Sequence, residues 1–461
     1  MKLFKYLMIT LICLGIMAGC SLEPESSSHQ ADPSTYAPMP DLNLWCDYFY
    51  LVDIDTGQVL MDVRSDEKMY PASMTKVMTS ILAIERIPDP ENVTIEFTAE
   101  MMEGLVEASA NRAGFVVGDE PTALDHIYGD LLPSGADCSR ALAFYISGDE
   151  ESFVELMNRK AQTLGMKDTH FENTSGLHED DHYTTCQDMM TLYLYCLKNP
   201  RFAEIIQTEE HVSVPVMHYP RGLSMTNFVL MYINQENPKY SYNFEIPGFI
   251  GGKSGYTIEG QYTLVSHASV NGMNLALVNA HGYNEPHYPA SIEDASVIYN
   301  WYRTHYERAA VVKEGTIWET LPVRNTISED VEVVVKDTID MDLPNDENLH
   351  VYTELPEALS APFAAGEAVG KISIYAYDQK VAETDLIVTE SRSATAVGRL
   401  NTMMEDVTRS RIWIISVILL SVLFLLLFQM MVSKAVPVEW KRKKHKRIHP
   451  REQEEESAEE Q

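Results

Sequence analysis

Apolar residues along this chain keep two different spacings, and the change between them divides it. From about residue 70 to 305 they recur at helical intervals: Met74, Val77, Met78, Ile81 and Leu82, then Phe153, Leu156, Met157 and Leu164, and later Ile292, Ala295, Ile298 and Tyr302. After about Gly315 the interval shortens to two. Val331, Val333 and Val335, and Ile372, Ile374 and Ala376, alternate with polar residues around turns such as Tyr377-Asp378-Gln379, which predicts an antiparallel β domain over residues 315–392. Ahead of the helices, YFYLVDIDTGQVL reads as two strands around a turn at residues 53–57. Residues 45–310 are therefore expected to form a mixed α/β (α+β) domain with a helical subdomain. Two folded units also suit a length of 461 residues.

The two ends carry a different pattern. In MKLFKYLMITLICLGIMAGC, residues 1–20, two lysines precede an apolar run that ends in small residues, the form of an export signal. Met17-Ala18-Gly19-Cys20 resembles a bacterial lipoprotein box, which would make Cys20 the lipidated residue. Residues 21–44, rich in Ser and Pro, read as a flexible linker. A polar stretch at 393–411 leads to Ile412–Val432, which has no charged residue and matches the roughly 20 positions of a transmembrane helix. The KRKKHKR run at 441–447 then predicts a cytoplasmic tail over 433–461, with the ectodomain on the far side of the cell membrane.

Charge narrows the choice of partners. The formal net charge is −33, whereas the segment from Lys434 onward holds eight basic and seven acidic residues, so the acidity belongs to the exported part. Such a surface repels nucleic acid. Cys46, Cys138, Cys186 and Cys196 have no metal-knuckle spacing and read as small buried hydrophobes.

Two stretches offer chemistry. GLHEDDHYTT, residues 176–185, contains H-E-x-x-H, a zinc signature only when both histidines lie one turn apart on a helix. Here Thr185 and Asp188 form a capping box that starts the next helix after the motif. The motif therefore belongs to a connection, and neither a metal nor a cofactor is expected. The second stretch, YPASMTKVMTS, places Ser73 and Lys76 three apart on one helix face. A serine hydroxyl becomes a nucleophile when a base takes its proton, and lysine is that base only if burial or a nearby cation lowers its pKa from ~10.4. Further on, LLPSGADCSRALA puts Ser134 at the mouth of an apolar helix, and IPGFIGGKSGYT puts Lys253, Ser254, Gly255 and Tyr256 on a glycine-rich strand.

Taken in order, S-x-x-K, S-x-x and K-S-G resemble the active-site set of the low-molecular-mass penicillin-binding proteins, the serine D-alanyl-D-alanine carboxypeptidases. The likeness runs from Trp45 to Val388. It implies a transpeptidase-like catalytic domain followed by a β domain, with peptidoglycan stem peptides as substrates and β-lactams as inhibitors. It also implies roles: Ser73 as nucleophile, Lys76 as base, Ser134 as proton relay, and Lys253 and Ser254 as anchors for the substrate carboxylate. The N–H groups of Ser73 and Tyr256 would form the oxyanion hole. Lys253 is expected to be the cation that depresses the pKa of Lys76. One position departs from the family: the second motif usually ends in asparagine, and here holds Ala136. That leaves a slow penicillin-binding sensor as the alternative, and a β-lactamase as a third reading.

Overall fold

The computed structural model describes residues 42–233, 244–283, 289–327, 330–344, 349–376, 379–400 and 411–435. The expected signal, the lipidation site Cys20, most of the linker and the tail beyond residue 435 lie outside the described residues. The chain divides into two compact units. One takes in Met1–Glu314, Asp337–Thr353 and Ile372–Thr384, the other Gly315–Lys336, Glu354–Lys371 and Asp385–Gln461.

In the first unit, β1 (Tyr48–Asp53), β2 (Val59–Val63), β3 (Glu210–Val212), β4 (Ser224–Thr226), β5 (Phe249–Thr257), β6 (Gln261–Val270) and β7 (Met273–Gly282) precede residue 283. β3 and β4 pair with each other, and the other five form an antiparallel sheet in the order β2–β1–β7–β6–β5. β5 is thus an edge strand. Besides a single helical turn at Ala99–Met102, the helices are α1 (Lys76–Arg86), α2 (Ala123–Leu131), α3 (Ala136–Ser147), α4 (Glu150–Leu164), α5 (Cys186–Leu197), α6 (Pro200–Ile206) and α7 (Ala290–His305).

Alternation along β7 distributes these helices over two faces. Ala276, Val278 and Ala280 join a core with Ile81, Ile127, Leu142, Phe153 and Leu192, drawn from α1 to α5. Leu275 and Leu277 point the other way, into a core with Ile292, Ala295, Ile298 and Tyr302 of α7. Within the helical layer α1 is central: every residue from Lys76 to Ala83 is buried. Its polar members need partners there. Thr79 donates to the carbonyl of Thr174 at 2.7 Å, and Ser80 to the Asp130 carboxylate at 2.7 Å.

Local signals begin and end these helices. Thr122 and Asp125 form a reciprocal capping box for α2. Thr185 caps α5 by accepting from the N–H of Asp188 at 3.1 Å. The Asp188 carboxylate, expected to close the box, accepts from the N–H of Asp168 and the hydroxyl of Thr169 instead. The four cysteines Cys46, Cys138, Cys186 and Cys196 are buried and unbridged.

The remaining strands are β8 (Tyr306–Val312), β9 (Ile317–Arg324), β10 (Asp330–Val335), β11 (Ile339–Pro344), β12 (Leu349–Glu354), β13 (Leu359–Ser360), β14 (Ala368–Ala376) and β15 (Gln379–Val388). β8 and β11 pair antiparallel in the first unit. There Arg308 of β8 donates to Asp342 of β11 at 2.9 Å, to Asp55 at 2.7 Å, and to Asp53 at the end of β1. Asp53 and Asp342 are fully buried. In the second unit β9 and β10 pair antiparallel, with Val331 opposite Leu321, and the end of β15 pairs with β10, Val388 opposite Val333. Val331, Val333 and Val335 are buried and Asp330 and Glu332 exposed, the period-two pattern of a strand with one apolar face.

The chain ends its described part in α8 (Arg411–Ala435), whose side chains are described over 415–431. Among the described residues no helix is long and apolar enough to cross a membrane.

Candidate active site

Ser73 lies in a 3-10 turn, Ala72–Thr75, that runs directly into α1. The tight turn places residues i and i+3 nearly one above the other, so Lys76 reaches back and its Nζ donates to Ser73 Oγ at 3.1 Å. A second bond from Nζ, 2.6 Å long, goes to the carbonyl of Ser175. Ser73 is partly exposed, whereas Lys76 is 2% exposed. One end of the pair faces the solvent and the other the core.

Residues distant in sequence hold the turn. Ala72 has a φ of +46°, which a side chain seldom adopts. Against its carbonyl lies Gly176 at φ +82°, where an added Cβ would stand 1.8 Å from the Ala72 oxygen. Only glycine fits there. On the other side Gly255 of β5 lies so close that its Cβ would meet the Ser73 nitrogen at 2.6 Å. The Thr263 hydroxyl of β6 donates to the Pro71 carbonyl at 3.1 Å. Both glycines are needed for the turn to seat between the sheet edge and the 176 loop.

H-E-x-x-H lies in that loop, as its flanking signals predict, and its two histidines have different partners. His178 has Asp180 at 3.6 Å and stacks edge-on against Tyr70, with ring centroids 4.7 Å apart. His182 is buried, with Nε2 2.9 Å from the Thr75 hydroxyl and Nδ1 3.3 Å from the N–H of Glu172. Thr75 donates to the Ala72 carbonyl, so the network assigns the proton to Nε2 and leaves Nδ1 as acceptor. Burial first, and the neighbouring His170, His178 and Lys76 next, push the His182 pKa down to about 3, which keeps the ring neutral. This histidine therefore braces the nucleophile turn. Among the described residues no group of three or more His, Cys, Asp or Glu side chains is placed to hold a metal.

Ser134 precedes Gly135, which is the N-cap of α3, and has a φ of +62°. The strained backbone turns its hydroxyl away from the helix end and toward β5, where it accepts from Lys253 Nζ at 2.9 Å. Lys253 also donates to the carbonyl of Ser254 at 2.7 Å and is 1% exposed. Next along the strand, Ser254 is partly exposed, Gly255 is buried, and Tyr256 is 48% exposed with its ring 4.6 Å from that of Tyr262. The structure thus brings Ser73 to Lys76 and to Gly255 of β5, and Ser134 to Lys253 of the same strand.

Two buried lysines in one site cannot both keep an ordinary pKa. Burial lowers Lys76 to about 8, against the opposing pull of Asp130, Asp137 and Cys138. Burial also drives Lys253 well below the usual lysine range, with the positive charge of Lys76 as the second cause. Desolvation is thus the larger influence on both lysines, and the repulsion between the two ammonium groups, which is mutual, adds to it. Asp130 was not foreseen. It is fully buried, accepts from the hydroxyls of Ser80 and Ser139 at 2.7 and 2.5 Å, and burial raises it to about 6. The one trace of it in sequence is an acid set among the apolar residues of IYGDLL. Ala136 is 2% exposed and offers no polar group. Its neighbour Asp137 turns away, accepting from the N–H groups of Ala113 at 2.8 Å and Gly114 at 3.3 Å.

Comparison with known proteins fits this geometry. A D-alanyl-D-alanine carboxypeptidase of Bacillus subtilis, DacF, is 29% identical over 78% of this chain and 89% of its own length. DacD of Escherichia coli, also a D-alanyl-D-alanine carboxypeptidase, is 26% identical over 79% of this chain and 91% of its own. Penicillin binding protein 5 of Haemophilus influenzae shares the fold, with a TM-score of 0.56 at 22% identity over 76% of this chain and 98% of its own. Residues 306–393 match the family described as penicillin-binding protein 5, C-terminal domain, so a transpeptidase-like α/β domain is followed by a β domain. Residues 36–282, more than half of the sequence, match the family described as D-alanyl-D-alanine carboxypeptidase, and the chain belongs to that family.

Proposed function

We infer that this chain is a serine peptidase that removes the terminal D-alanine from peptidoglycan stem peptides through an acyl-enzyme, and that penicillins acylate the same serine. The observation that carries the reading is the Lys76–Ser73 contact of 3.1 Å, made by a buried lysine whose pKa lies near the working range. In its neutral form Lys76 takes the proton of Ser73, and Oγ attacks the carbonyl between the two D-alanines. The N–H groups of Ser73 and Tyr256 receive the developing oxyanion. Ser134, within reach of Lys253, returns a proton to the leaving amine. Lys253 and Ser254 hold the substrate's terminal carboxylate. Its negative charge favours the protonated form of a lysine whose pKa burial drives down. Water then hydrolyses the ester.

Free D-Ala released from a peptide ending in D-Ala-D-Ala is the direct assay. Ser73→Ala is expected to abolish both release and labelling by a fluorescent penicillin, and an adduct mapped elsewhere would refute the assignment. Because Lys76 must be unprotonated, kcat/KM is expected to rise with pH through about 8. A profile flat from pH 6 to 10 speaks against this base.

Anchoring belongs to the same proposal. The uncharged run Ile412–Val432 and the KRKKHKR that follows it support a membrane span over residues 412–432 with the ectodomain outside, and the sequence around Cys20 supports a lipid-bearing N-terminus after removal of the signal. Protease added to intact, wall-stripped cells should digest the ectodomain and spare the tail. The opposite pattern inverts the topology.

A further inference from the structure

Asp130 does not appear in the chemistry above, yet it sits where the two motif-bearing helices meet. It lies on α2, and its carboxylate accepts from one hydroxyl on each neighbour: Ser80 of α1 at 2.7 Å and Ser139 of α3 at 2.5 Å. Ser80 follows Lys76 by one helical turn on the same face. Ser139 lies near the start of the helix that Ser134 introduces, and also bonds the Gly135 carbonyl at 3.2 Å. No basic side chain touches Asp130 within ion-pair distance among the described residues. A fully buried carboxylate held by two hydroxyls and no cation is a costly arrangement, unless charge at longer range repays it.

That charge is present. The groups acting on the Asp130 carboxyl are Lys76 of α1 and Lys253 of β5, both favouring its ionised form. From α3 come Asp137 and the Cys138 thiol, which with Asp130 bear on Lys76. We propose that Asp130 is a positioning residue of the reaction assigned to Ser73: it ties the nucleophile helix to the Ser134 helix, and supplies the buried negative charge that poises Lys76 between its two protonation states. The inference rests on the Ser73–Lys76 reading and extends it. With Ala136 offering no polar atom, the ammonium form of Lys76 has the Ser73 hydroxyl and the Ser175 carbonyl as its bonded partners, and Asp130 as an ionic counterweight. At the pH where Lys76 titrates, near 8, Asp130 with a pKa of about 6 is ionised.

Asp130→Asn tests this with little change of shape, since an amide can accept from one serine and donate to the other. Loss of the negative charge makes Lys76 easier to deprotonate. The ascending limb of kcat/KM against pH should move to lower pH by about one unit. Ser80→Ala removes one donor, makes the carboxyl harder to ionise, and should move the limb the same way by less. It serves alone if Asp130→Asn does not fold. A purely structural carboxylate would lower kcat/KM by the same factor at every pH and leave the limb in place. That result in folded variants overturns the proposal. Mapping the penicillin adduct in the parent enzyme separates the two layers: an adduct away from Ser73 overturns both, whereas an adduct at Ser73 with an unmoved limb overturns only the assignment of Asp130.

Discussion

Two buried clusters of charge in the first unit have different balances, one even and one acidic. At the active site two lysines, Lys76 and Lys253, share one interior with Asp130 and Asp137, and the bonds each ammonium nitrogen makes go to hydroxyls and carbonyls rather than to carboxylates. At the β8–β11 pair a single arginine, Arg308, is gripped by three carboxylates. A lysine left without a bonded counter-ion can shed its proton, and burial moves both lysines toward doing so. An arginine cannot, so the surplus falls on the acids: burial raises Asp342 to about 6, with Arg308 opposing and Asp53 adding to the rise. The same desolvation therefore makes a base in one place and a clasp in the other. What decides is which partner is able to change its charge.

Paired substitutions can break this contrast. Lys76→Met should lower kcat/KM on the order of 10⁴-fold or more while leaving stability at pH 7 intact, because the folded state below pH 8 must otherwise charge a buried amine that the unfolded chain keeps charged up to ~10.4. Arg308→Met should do the reverse. Stranding Asp53 and Asp342 is expected to lower stability by about 3–5 kcal/mol, with catalysis by the folded fraction unchanged. The deficit should narrow as pH falls toward about 6 and level off below it, because without Arg308 the Asp342 carboxyl takes up its proton at a higher pH than in the parent. Denaturant midpoints and D-Ala release measured on both variants decide the matter. If Lys76→Met proves the less stable of the two, the contrast is wrong.

The smallest expected effect sharpens it. Ala136→Asn restores an amide at the end of the second motif, into a site already organised around buried charge. It should change kcat/KM by less than about tenfold, against the ~10²–10³ carried by a donor that acts in the transition state. A gain of 10² or more would mean that the site lacks a group it needs, and that Asp130 does not compensate for it.

What could be read from the sequence was what depends on near neighbours. Ser73 and Lys76 stand three apart, and Thr185 stands three before the N–H it caps, so local spacing carried both. H-E-x-x-H was placed in a connection by the start of α5, although the role of His182 beneath Thr75 was invisible, since that contact joins two distant segments. Ser134 and Lys253 entered through resemblance to a family, not through any spacing between them. The Ser175 carbonyl had no signature at all, and Asp130 only that of an acid among apolar neighbours. Each depends on which groups share an interior, and burial of a polar residue cannot be read from its own letter.

The two glycines beside the nucleophile also set a clock. Gly176 and Gly255 press on the turn from segments made long after Ser73 has left the ribosome, and the conformation at Ala72 relies on the first of them. Until β5 joins the sheet edge, the serine has neither its bracing wall nor the strand that completes its surroundings. Contacts of such long sequence separation form late in folding. Newly made chains should thus be inert toward peptides and penicillins until the domain is almost whole, and acylation becomes a reporter of completed folding.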